Sequence, residues 1–129
     1  MKTIYERKVV VLDTNAILRY ITHDIAEQAD IVENLLLSRE IFVAPEVIME
    51  VVYILTKSYG YTRDETIKGI LDFLDDADYH NAYITNVLKT FGATKLDFVD
   101  CLLLEYSKHP EYEVFTFDKT LKKMIDRGW

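Results

Sequence analysis

Two β-branched apolar runs of this 129-residue chain each stop on an aspartate: VVVLD (9–13) and VFTFD (114–118). Two more apolar stretches carry an acid inside them, Glu50 in VIMEVVYIL (47–55) and Asp100 in LDFVDCLLL (96–104). An apolar run without alternation suits a strand covered on both faces, as in a parallel sheet flanked by helices. A carboxylate in such surroundings loses hydration, and an unpaired charge withdrawn from water is strongly unfavourable. No Lys or Arg lies inside any of the four stretches. A divalent cation is therefore the expected counter-charge, and with it chemistry.

The remaining pattern alternates in the same sense. Segments 8–12, 41–44 and 113–117 read as strands. Helices are expected over 14–21, over 24–38 with Asp24 as cap, and from Pro45 to about residue 59. Thr62 and Glu65 form a capping box that opens the next helix, with Ile67, Ile70, Leu71 and Leu74 inward. A turn over 75–81 follows, then helices over 82–91 (closed by Gly92), 97–107 and 118–125. Strands alternating with helices indicate a parallel α/β sheet, whose ligands bind beyond the carboxyl ends of the strands. Asp13 and Asp118 fall at those ends. The length suits one domain, 1–129.

Composition narrows the function classes. Half the residues are apolar, which excludes a disordered chain. No apolar run reaches the roughly 20 residues of a membrane span, and the charged start MKTIYERK is unlike a signal peptide. A lone Cys101 excludes an internal disulfide and suits a reducing cytoplasm. The net charge of −7 argues against tight non-specific nucleic-acid binding, which depends on phosphate neutralisation. Lys119, Lys122, Lys123 and Arg127 form a small basic cluster beyond Asp118, open to reading as a solvated helix face. No glycine-rich phosphate loop is present. His23, His80 and His109 share no close spacing, so zinc is not expected, and Ser/His/Asp catalysis lacks a supporting motif.

Each acid also has a plain structural reading. Asp13, Asp97 and Asp118 stand where helices are expected to begin and read as caps, and Asp100 reads as a first-turn acid favoured by the helix dipole. Glu50 is different. It lies mid-helix, and of its neighbours three and four positions away only Glu46 continues a charged face.

In order and spacing VVVLDTNAIL (9–18), PEVIMEVVYIL (45–55), LDFVDCLLL (96–104) and VFTFDKTL (114–121) resemble the four acidic motifs of PIN-domain nucleases, and within them the small VapC-like toxins of toxin–antitoxin pairs. The resemblance covers nearly the whole chain. It implies a three-layer α/β/α fold with a parallel sheet of four or five strands. It also implies Mg²⁺- or Mn²⁺-dependent cleavage of RNA phosphodiesters, a cognate antitoxin, and a homodimer. Asp13, Glu50, Asp100 and Asp118 match the metal-site acids; Asn15 and Thr116 match supporting polar residues. Asp97, one turn before Asp100, reads as a cap or an outer acid. A fifth strand is left open, because the chain ends soon after its last helix.

Two other functions compete. An aspartyl-phosphate phosphatase also begins with a strand and an Asp, but Asp13-Thr14-Asn15 lacks the second Asp that would be its general acid. A non-catalytic PIN-like module binding RNA or protein would be expected to have eroded the acids, and all four positions are acidic. A homodimer is further expected from Ile31, Leu35, Leu36, Leu37, Tyr53, Ile54, Tyr59 and Tyr61, an excess of large apolar groups for one small core.

Overall fold

Helices dominate the described residues, among which two short strands pair. The computed structural model describes residues 8–129; the rest of the charged start weighed against a signal peptide, Lys2, Glu6 and Arg7 included, lies outside them. In order the elements are β1 (Val10–Val11), α1 (Thr14–Thr22), α2 (Ala26–Ser38), β2 (Ile41–Phe42), α3 (Pro45–Lys57), α4 (Arg63–Asp76), α5 (Ala82–Ala93), α6 (Phe98–Ser107) and α7 (Lys119–Asp126). They fall into two compact units, Met1–Asn81 and Ala82–Trp129.

In the first unit β1 and β2 run parallel, Val10 facing Ile41 and Val11 facing Phe42. α1 packs on α2, α3 and α4, and α3 on α4. The packed faces are those the apolar spacing marks: Ile17 and Leu18 of α1, Ala29, Val32 and Leu36 of α2, Ile48, Val51, Val52 and Leu55 of α3, and Ile70, Phe73 and Leu74 of α4 are all buried. Ile67 and Leu71 are only half-buried, because Thr66 and Phe73 take the inward positions of α4. Gly69 also belongs to this packing: a Cβ there would stand 3.0 Å from the Ile21 Cγ2, so α1 and α4 approach where no side chain intervenes.

The capping box forms as expected. The Thr62 hydroxyl accepts from the Glu65 N–H at 3.0 Å, and the Glu65 carboxylate accepts from the Thr62 N–H at 2.9 Å. That backbone bond, then the Thr62 hydroxyl, lowers the Glu65 pKa, so the contribution is present above the unfolded value and lost as pH falls through the folded one. Thr62→Ala should cost about 1 kcal/mol, measurable by urea unfolding.

The second unit packs α6 against α5 and α7. Ile84, Val87, Leu88 and Phe91 of α5, Phe98, Cys101 and Leu104 of α6, and Leu121 of α7 are buried. The Phe91 and Phe98 rings meet nearly edge-on at 5.7 Å, an arrangement aromatic quadrupoles favour. Cys101, the sole thiol of the chain, is fully enclosed at 0% exposure.

Three expectations need correction. The parallel sheet has two strands among the described residues, not four or five. Segment 113–117 joins no ladder there, and Phe115 and Phe117 are 79% and 90% exposed; a strand is defined by a partner, which local propensity does not supply. Asp24 does not cap α2, whose N-cap position is Ile25. The Asp24 carboxylate is taken instead by the Arg19 guanidinium at 3.2 Å and the Tyr59 hydroxyl at 3.0 Å. Gly92 does not close α5, which continues through Ala93. Among the described residues no helix is long and apolar enough to cross a membrane.

Candidate active site

The chain turns into α1 immediately after β1, and Asp13 is the hinge. Its backbone is extended, and its Oδ1 accepts from the Ala16 N–H at 2.8 Å, which satisfies one of the unpaired donors of the first turn. One oxygen is thus used locally and the second is left for another partner. Asn15 follows on the exposed side of the same turn. Both line a cleft of about 240 Å³ in the first unit, together with Arg19 and Gln28. Glu50 lies in the middle of α3 and faces solvent, as do Glu46 and Tyr53, while Val47 and Ile54 are half-buried.

Three more acids gather in the second unit. Asp97 occupies the N-cap position of α6 but makes no capping hydrogen bond. Asp100 sits in the first turn of α6 and is half-buried. Asp118 caps α7 by accepting from the Leu121 N–H at 2.8 Å, and the Thr116 hydroxyl accepts from the Asp118 N–H at 3.0 Å. Thr116 thereby fixes the approach to α7. The Asp100 pKa is raised, first by partial burial and then by the charges of Asp118 and Asp97. None of these three acids forms an ion pair among the described residues.

The structure therefore places Asp97 and Asp118 each within electrostatic reach of Asp100, and Asp13 beside Asn15. Glu50 does not line the cleft of Asp13. Asp13, Glu50, Asp97 and Asp118 are exposed rather than buried: helix starts carry Asp13, Asp97 and Asp118 to the surface, and Glu50 lies on the solvent face of α3. Among the described residues no three His, Cys, Asp or Glu side chains are grouped closely enough to hold a metal ion together. The donor set nevertheless suits a hard cation. It consists of carboxylate oxygens with uncompensated charge, and Mg²⁺ takes one or two carboxylates while keeping several waters.

A family profile described as PIN domain matches residues 10–126. The chain belongs to the PIN domain family. Searches of curated proteins and of solved structures each return no match. PIN domains are in general nucleases that use divalent metal ions, and all four acids lie within the matched span.

Two features of this PIN domain were not singled out in the sequence. Glu105 is only 5% exposed, with His109 Nε2 at 3.4 Å and Lys108 Nζ at 3.8 Å from its carboxylate. In LLLEYSKH it resembles an ordinary acid near a helix end, and the signal available was two basic groups three and four residues on. Arg19 is the other: the one cation within TNAILRYIT, held in the cleft of Asp13.

Proposed function

We propose that the protein is a Mg²⁺- or Mn²⁺-dependent endoribonuclease and the toxin of a toxin–antitoxin pair. The observation that carries this reading is the gathering of Asp97, Asp100 and Asp118 without a cation to pair them, in a chain that belongs to the PIN domain family. Asp13, Glu50, Asp100 and Asp118 are the metal-site acids. Asn15, Thr116 and Asp97 support them, Thr116 by setting the backbone that leads into Asp118. A bound divalent cation supplies charge neutralisation and a water of lowered pKa. The protein holds Asp13, Asp100 and Asp118 at helix starts and Glu50 within α3, so little reorganisation is left for the reaction.

In this reading the chain is one domain, 1–129. The exposed Ile31, Leu37 and Tyr53, at 61%, 75% and 63%, supply an apolar face for a homodimer, to which the buried Leu36 contributes nothing. A monomeric mass by light scattering at micromolar concentration would remove the dimer. The antitoxin places an Arg or Lys against the acids as a substitute counter-charge, and a complex with its partner bound elsewhere would contradict that.

Cleavage of a fluorescent single-stranded RNA, with Mg²⁺ or Mn²⁺ against EDTA, tests the main reading. Activity should fall at least about a hundredfold without metal, which corresponds to about 2.7 kcal/mol of barrier. RNA binding with no cleavage at any metal concentration would instead make the protein a non-catalytic module.

A further inference from the structure

Arg19 stands near the end of α1 and lines the cleft that Asp13 and Asn15 line from its start. A guanidinium has five N–H donors in a planar fork. Here its Nε donates to the Gln28 Oε1 at 3.1 Å, and its Nη1 donates to the Asp24 carboxylate at 3.2 Å and to the Tyr59 hydroxyl at 3.3 Å. Tyr59 in turn donates to Asp24 at 3.0 Å. These moorings come from α2, from the loop before it and from the turn after α3. In that turn Gly60 adopts φ +69°, a left-handed conformation that side chains other than glycine's rarely take.

Nη2 alone makes no hydrogen bond among the described residues, although the side chain is only 22% exposed. The result is a cation locked in orientation with one unused edge, in the same cleft as a motif acid. A chain with net charge −7 attracts RNA poorly, so a fixed cation there has a large effect on phosphate binding.

We propose that Arg19 binds a phosphate of single-stranded RNA adjacent to the cleaved linkage, with Nη2 as donor, and so seats the substrate in the cleft of Asp13. This rests on the ribonuclease reading above. Arginine suits the role because its planar donors match phosphate oxygens.

The test is RNA affinity, by fluorescence anisotropy, in an Asp100→Asn background over about 50 to 200 mM salt. Adding Arg19→Gln should weaken binding about tenfold and make the slope of log K against log salt shallower by about 0.7, the loss of one phosphate contact on a single strand. Arg19→Lys should retain the slope while binding more weakly. In the active protein, Arg19→Gln should raise KM more than it lowers kcat, with the melting temperature recorded alongside. Should Arg19→Gln fail to fold, Tyr59→Phe removes one mooring of Arg19 at a solvent-exposed position. A raised KM is then expected, and an unchanged KM overturns the proposal. An unchanged salt slope in folded Arg19→Gln also overturns it and leaves the ribonuclease reading standing. Wild-type protein that neither binds nor cleaves RNA overturns both.

Discussion

Glu50→Gln should abolish RNA cleavage and leave the melting temperature where it was. Glu50 is exposed on α3 and makes no hydrogen bond or ion pair among the described residues. Exchanging such a carboxylate for the amide of the same shape changes stability by no more than about 0.5 kcal/mol. The packing of α3 rests on Ile48, Val51, Val52 and Leu55, none of which the substitution disturbs. If the acid holds the reaction's charge, its loss should cost at least about a hundredfold in rate, or about 2.7 kcal/mol. A structural acid would show the opposite pair of results, a lower melting temperature with full activity per folded molecule. Recording both quantities on the same sample separates the two, and cleavage at the wild-type rate would remove Glu50 from the site.

Asp100→Asn should likewise abolish cleavage, yet raise the melting temperature in EDTA at neutral pH. Partial burial, then Asp118 and Asp97, raise the folded pKa of Asp100 above its ordinary 3.8. Between the unfolded value and the raised folded one, the native state binds more protons than the unfolded chain. Stability therefore falls as pH rises through that window and remains lower above it. Asparagine carries no such charge, so the variant's advantage should be present at pH 7 and vanish below about pH 3.8. Asp118→Asn should keep its helix start, since Asn caps about as well as Asp. A melting temperature for Asp100→Asn below that of wild type at pH 7 would contradict the account.

Most helices were legible because the sequence states their limits in local chemistry. Asp13, Pro45, Thr62 with Glu65, and Asp118 each start a helix where expected. Asp24 misled because a residue suited to capping can be claimed by a distant partner, here Arg19 and Tyr59. The strands were less legible for a related reason. A β-branched run such as 113–117 declares a preference, while a ladder depends on residues far away in sequence. For the candidate site, the acids could be read directly, Asp13, Asp100 and Asp118 near helix starts and Glu50 within a helix. Their exposure could not, because an apolar run does not say which way its polar exception points. Arg19 was missed because its significance lies in Gln28, Asp24 and Tyr59, which only folding brings to it.

The enclosure of Cys101 makes the chain its own reporter. A thiol reagent can react only when the core around α6 opens, so the labelling rate measures the free energy of that opening when reclosing is fast. Comparing this value with that from whole-chain denaturation tells whether Ala82–Trp129 breathes independently or melts with the rest. No engineered probe is needed, since no second cysteine competes for the label.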